Sequence, residues 1–278
     1  MRPKHLLVVA AAAFVGLAIS RAGFSSAPTI TFLAVGQGDC TLWRDGDVNI
    51  LIDVGPKTRE GFDAGSRIVI PKLRSLGVGQ VALILITHPD ADHIGGLGSI
   101  HRRFPDAKVV ASAEFKTRDS MKLSLQEAGV SPEKVLWLAG HNQIALDHSS
   151  LDVYAPTLAP AASDNEGSLF IRVKSGAATA VITGDAYMAN EDVVESRLHW
   201  TAQVLKVGHH GSRTSTGDGF VKQLLPVWAV ISCGKNNMFG HPHPSVLQTL
   251  KRHTVEVLRT DMLGDITFTA TPSGFVPR

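Results

Sequence analysis

Between Thr87 and Gly96 the chain reads THPDADHIGG, and the run VALILI stands directly before it. Two histidines and two aspartates therefore fall within six residues at the end of an apolar strand. In a bare loop His88, Asp90, Asp92 and His93 would repel one another and lose hydration for no return, whereas a divalent cation turns the same crowding into coordination. The competing reading is a solvated acidic turn. It is disfavoured because such turns rarely set His-x-Asp-x-Asp-His between a buried strand and a Gly-Gly step.

A metal site of this kind needs ligands from elsewhere in the chain. Asp185 ends the apolar stretch AVITGD, and His209 with His210 ends VLKVG. Each is delivered from a buried strand into a glycine-flanked loop, as His88 is. A lone turn aspartate would be unremarkable; the repetition of the arrangement makes these residues candidate ligands.

The rest of the pattern is α/β. TITFLAV, CTLW and VNILIDVG read as a three-strand meander, followed by a helix over 66–76 and the buried strand VALILIT. IGGLGSIHRRF reads as a helix, KVVAS as a strand and 115–128 as a helix ended by Gly129. SLDVYAP, SLFIRV, ATAVITGD, AQVLKVG, VWAVISCG, VEVLRT and DITFTA are strand-like, with helices at EDVVESRLHW, GFVKQLL and PSVLQTLKRH. No linker divides the 278 residues, so one domain is expected, with two sheets face to face and helices outside.

Arg2 and Lys4 precede LLVVAAAAFVGLAI, a pattern that fits a signal peptide and is short for a membrane span. Small residues at Ser20 and Ala22 allow cleavage near Ala22; Pro28 argues against cleavage after Ala27. An uncleaved membrane anchor is the alternative. Either reading makes residues 1–27 a leader and puts 28–278 outside the cytoplasmic membrane of a bacterial cell. A formal net charge of +2 gives no bulk attraction for nucleic acid, so any such binding needs a local patch. Two cysteines, Cys40 and Cys233, are too few for a disulfide scaffold and read best as small buried residues, with one bridge as the alternative.

LAVGQGDCTL, NILIDVG, THPDADHIGG, NEGSLFIRV, VITGD, VLKVGHHGSRTS and GKNNMFGHPHPSVL follow one another between residues 32 and 250. In these pieces and their order the chain resembles the metallo-β-lactamase superfamily, and within it the extracytoplasmic hydrolase-like domain of ComEC-type competence proteins. The resemblance implies an αββα sandwich of two mixed β-sheets. It assigns His88 and Asp90 to one metal and Asp92 and His93 to another, with Asp185 as a bridging carboxylate and His209 closing the second site. Two departures stand out. Asp90 occupies a position where the superfamily commonly has histidine, and a mid-domain ligand histidine has no counterpart, its place near Asn165 and Ser168 being taken by NEGSL. A more oxygen-rich set brings manganese, iron or magnesium into competition with zinc for two divalent ions, with Asn165, water or substrate completing the first site.

The implied chemistry is hydrolysis by hydroxide held on the metals, with Asp92, Asp185 and His241 as the catalytic group. Substrate-binding candidates are His210, Ser212, Asn165 and His241. His210 also reads as a partner orienting the site or as a structural residue. Ser212, Thr214 and Ser215 fit phosphate donation or capping of the helix GFVKQLL. His243 reads as solvated, Lys206 as a flanking residue, and Asp39 as a turn residue at least as readily as a catalytic one. His101, His141, His148, His199 and His253 lack a ligand context.

Three functions follow as expectations: an exported phosphodiesterase or nuclease, with single-stranded DNA within its substrate class; a hydrolase of another ester, such as envelope phosphocholine groups; and a catalytically weak module that binds DNA or an envelope ligand. β-Lactam hydrolysis is disfavoured by Asp90. A monomer is expected, its membrane association resting on the N-terminal segment. No protein partner is inferable, and DNA passage would need a separate membrane protein.

Overall fold

The computed structural model describes residues 27–159 and 161–278, with only the backbone given for 193–195 and for the strands Leu7–Ala11 and Phe14–Ala18. The rest of the expected leader lies outside the described residues. Its two strands pair antiparallel with each other, and Phe14–Ala18 runs parallel to Gly140–Ala145. No described helix is long and apolar enough to cross a membrane.

One sheet orders its eight strands Gly274–Pro277, Ile266–Thr271, Thr29–Phe32, Thr41–Asp45, Val48–Ile52, Leu83–Leu85, Lys108–Ser112 and Leu136–Leu138. In the other, Leu7–Ala11 and Phe14–Ala18 are followed by Gly140–Ala145, Ser150–Ala155, Phe170–Ser175, Ala178–Ile182, Val204–Lys206, Trp228–Ile231 and Glu256–Arg259. Both sheets are mixed. Apart from the parallel pairing of Phe14–Ala18 with Gly140–Ala145, antiparallel strands occupy one side of each, and parallel strands joined through helices the other. The parallel strands are the continuous apolar runs, as burial on both faces demands.

Side-chain alternation sorts the core into layers. Ile50, Ile52, Leu83 and Leu85 meet Val153, Ile171, Ile182 and Val204 between the sheets. The opposite parity, Leu51, Ile84 and Val109, packs under Val69, Leu73, Ile100 and Leu125 from the helices. On the far side Val181, Leu205 and Ile231 pack under Phe220, Val221 and Leu250. The result is the αββα sandwich.

Several elements differ from the sequence reading. The helix after the metal-ligand loop is split into Ala91–Ile94 and Leu97–Arg103. Gly95 and Gly96 make the break, because a Cβ there would fall 2.4 Å from Lys57 N and 2.3 Å from Val54 O. The helix expected over 115–128 begins only at Asp119, after a short turn at Ala113–Phe115. The strands Leu136–Leu138, Gly140–Ala145 and Gly274–Pro277 were not expected; they are short or polar. Cys40 and Cys233 are both free and buried, which removes the disulfide alternative.

Candidate metal centre

Asp53 leaves the strand Val48–Ile52 with φ +58, and its buried carboxylate organises the first loop. Thr87 donates to it twice, from N to Oδ1 and from Oγ1 to Oδ2, each at 2.8 Å. His93 Nδ1 lies 2.8 Å from Oδ2, a contact that fixes the ring and leaves Nε2 facing the site. Asp90 stands at the N-cap of Ala91–Ile94, but its side chain makes no cap hydrogen bond. Its Oδ2 instead lies 3.6 Å from His88 Nε2.

Asp185 arrives from the strand Ala178–Ile182 through Gly184, where φ is +52 and a Cβ would sit 2.9 Å from Thr87. Ser168 Oγ accepts from Asp185 N at 3.1 Å. The two aspartate oxygens then face the histidines: Oδ1 is 3.1 Å from His93 Nε2, and Oδ2 is 4.0 Å from His88 Nε2. His88 and His93 are fully buried, and their rings lie 4.1 Å apart.

The histidine pair after Val204–Lys206 brings both imidazoles to Asp185. His210 is buried, with Nδ1 3.0 Å from Ser232 O and Nε2 3.1 Å from Asp92 Oδ2 and 3.6 Å from Asp185 Oδ2. His209, read as the closing ligand, approaches Asp185 Oδ2 at 3.6 Å but remains a quarter exposed, with Nδ1 3.1 Å from Thr214 Oγ1. Ligand atoms of Asp92, His93, Asp185 and His210 all lie within 4.8 Å of one another. The deeper burial of His210 comes from backbone conformation. Both histidines are left-handed, with φ 48 and 54, so the chain turns the second imidazole inward. Such positions cost about 1–3 kcal/mol each and persist where surrounding structure enforces them.

The set fits a metal ion. His88 Nε2 is buried without a hydrogen-bond partner, and buried His93 Nε2 and Asp185 Oδ1 face only each other, a costly arrangement that a cation among them would relieve.

Without metal the charges lean on one another. Burial disfavours a charged His93, yet Asp185 and Asp53 hold its pKa well above the ordinary value. Burial opposes protonation of His210 as well, but Asp185 and Asp39 push it up to about 10. Asp185 is held well below the usual carboxylate range, with His93 and His210 outweighing its burial. His209 and His241 move the other way: burial lowers both, and neighbouring histidines lower them further.

His241 lies at the mouth of this group, its ring centroid 5.9 Å from His209 and 6.5 Å from His210. His243, read as solvated, caps the helix Pro244–Arg252 by accepting from Ser245 N at Nδ1. Ser212, Thr214 and Ser215 do not cap Asp218–Leu224, whose N-cap is Gly217 without a side-chain bond. They tie the histidine loop instead: Thr214 N donates to Ser212 Oγ, the Ser212 and Thr214 hydroxyls lie 3.0 Å apart, and Ser215 Oγ donates to Ala186 O. Asn165 is half-buried and accepts Ser168 N on its carbonyl; from this loop it is Ser168 that reaches Asp185.

Sequence reasoning gave Asp53 no role and set Lys206 aside. Both carried a signal, since each is a charged residue within or ending an apolar run, NILIDVG and VLKVG. Such a residue needs a buried partner.

Residues 33–235 match the family model described as Metallo-beta-lactamase superfamily. The chain belongs to that superfamily. It is 33% identical over 260 residues to ComE operon protein 3 of Bacillus subtilis, covering 88% of this chain and 33% of the relative. It is 27% identical over 241 residues to Competence protein ComA of Neisseria gonorrhoeae, covering 86% of this chain and 32% of that one. The chain thus spans about a third of the length of these curated relatives. Among solved structures, the metallo-beta-lactamase fold protein YhfI of Bacillus subtilis superposes with a TM-score of 0.52 at 12% identity, over 84% of this chain and 96% of that one. The likeness to YhfI concerns the fold, which in the superfamily member described here brings the histidine and aspartate loops to one edge of the sandwich.

Proposed function

We propose that this superfamily member is an exported, metal-dependent phosphodiesterase, with single-stranded DNA within its substrate class. The observation that carries the reading is the convergence of His93, His210, Asp92 and Asp185 on one point, supported by His88 and the uncapped Asp90. Two divalent cations bound there would polarise a phosphoryl oxygen and bring a coordinated water's pKa toward neutrality. His88, Asp90 and Asp185 would hold one ion; Asp92, His93, His210 and Asp185 would hold the other. The carboxylate-rich set favours manganese, iron or magnesium beside zinc.

Asp53 fixes the His93 tautomer, and Ser232 O with Asp39 orients His210, so both imidazoles present Nε2 without rearrangement. Burial and the neighbouring histidines lower the His241 pKa, and its half-buried ring stands at the mouth, where it can exchange a hydrogen bond with a substrate oxygen. The competence-protein relatives support nucleic acid as substrate, and the leader pattern supports export, with residues 1–27 as signal peptide or anchor.

The test is a substrate panel with the purified protein loaded with manganese or zinc: a single-stranded oligonucleotide, an aryl phosphodiester and an aryl phosphorylcholine. Cleavage of the first two is expected. Turnover of the choline ester alone, or of none, removes the proposal.

A further inference from the structure

We propose that Phe239 is a stacking platform for a nucleobase beside the scissile phosphodiester, with Arg213 meeting a neighbouring phosphate; this rests on the phosphodiesterase reading above. Phe239 is 62% exposed, and Met238 beside it 90%. The two side chains stand exposed side by side next to the buried ionic site, and one face of the Phe239 ring is taken by His241. Its ring lies 5.7 Å from His241 at an interplanar angle of 25°, and His241 lies 6.5 Å from His210 at 25°. Three near-parallel rings thus step from solvent to a buried member of the metal group.

The platform is held in place before any ligand arrives. Asn237 donates from Nδ2 to Gly234 O and His241 O, and accepts His241 N on Oδ1. Gly234 N in turn donates to Gln37 Oε1 at 3.0 Å. A loop tied at both ends pays little ordering cost on binding.

Beside the ring lies a cavity of about 310 Å³ lined by Ser212, Arg213, Phe239, His241 and His243. That is the low end of ligand-pocket sizes, roughly 300–1,000 Å³. It suits one nucleotide unit. Arg213 is exposed and can meet a phosphate with paired donors, while its charge opposes a quaternary ammonium. The aromatic face offers stacking that every base can use, so the site takes a strand without demanding a sequence. The occupant favoured over a choline ester is therefore single-stranded nucleic acid.

The experiment compares full-chain wild type, F239A, F239W and R213A for binding of a labelled oligothymidylate and of an abasic strand of equal length. Fluorescence anisotropy is read at low salt on the metal-loaded protein in the cold, before cleavage becomes measurable. F239A is expected to weaken oligothymidylate binding about tenfold, with F239W near wild type and the abasic strand bound alike by wild type and F239A. R213A should weaken both strands and flatten the salt dependence. Equal loss on both strands in F239A, no loss on either, or no binding by wild type overturns the proposal. Base-dependent binding without oligonucleotide turnover by the metal-loaded protein would keep the platform and remove the phosphodiesterase reading. Turnover with a KM indifferent to F239A would do the reverse.

Discussion

Lys206 Nζ lies 2.6 Å from Asp39 Oδ2, and both side chains are buried. Lys206 also donates to Val207 O at 2.9 Å, while Asp39 Oδ1 stands 3.5 Å from His210 Nδ1. Burial alone would raise the Asp39 pKa; Lys206 and His210 outweigh it and keep the carboxylate ionised. The ammonium thus acts as a resident cation behind the metal group. Asp39, Asp53, Asp90, Asp92 and Asp185 bring five carboxylates together, which the two proposed divalent ions and one ammonium would match in charge.

Removing one partner of a buried pair strands the other, so K206M should destabilise the protein by about 3–5 kcal/mol. Replacing both, in K206M/D39L, should recover much of that loss. Chemical denaturation measures both variants; a loss under about 1 kcal/mol for K206M would contradict the buried-pair account.

The fully buried imidazole is His210, and His209 is its partly exposed neighbour. Metal content after equilibrium dialysis should therefore fall sharply in H210A and change little in H209A. D53N, which removes the carboxylate charge from the contact with His93 Nδ1, should weaken metal affinity about 10- to 100-fold. The opposite ranking of the two histidines would restore the reading made from sequence.

Glu191 offers a pH test away from the metal ligands. Burial pushes its carboxyl up to about 7, against the pull of the Gly217 and Thr216 amides that donate to it. The folded protein then keeps a proton that the unfolded chain loses above its ordinary value of 4.5. Stability from this group is present at low pH and is lost as pH rises through the window from 4.5 to about 7, after which it is flat. E191Q lacks that titration and carries a pH-independent loss, since its amide has one acceptor for two N–H donors. The stability of wild type relative to E191Q should decline across the window by at most about 3 kcal/mol. A constant difference in denaturation midpoints between pH 4.5 and 8 would refute it.

Gly38 has φ +149, and a Cβ there would sit 2.3 Å from Asp92 O. Asp39 N donates to that same carbonyl at 3.1 Å, so the GQGDC turn and the ligand loop are locked together. G38A should displace Asp92 and cut turnover by at least tenfold, with a measurable loss of stability. Full activity in G38A would show that the two loops move independently.

Much of this was legible in the sequence because apolar strands deliver the ligands. The runs before His88, Asp185 and the histidine pair had to be buried, and their ends had to meet at one edge of the sheets. Which of His209 and His210 turns inward depends on two successive left-handed residues, and residue identity does not reveal that. Asp39 and Asp53 stayed hidden because an aspartate before a turn has a sufficient local explanation; only the distant Lys206 and His93 show otherwise. The strand Gly140–Ala145 was missed because GHNQIA runs three polar residues together around a single large apolar one and draws its order from Ser150–Ala155 beside it.

The central claim is that a metal held by these residues makes the protein a phosphodiester hydrolase. Its most direct test is the rate of oligonucleotide cleavage by chelator-stripped protein titrated with manganese or zinc, run in parallel on D185N. The account predicts no cleavage by stripped protein, saturable recovery as metal is added back, and none in D185N at any metal concentration. Cleavage that survives chelation, or recovery in D185N equal to wild type, would contradict it.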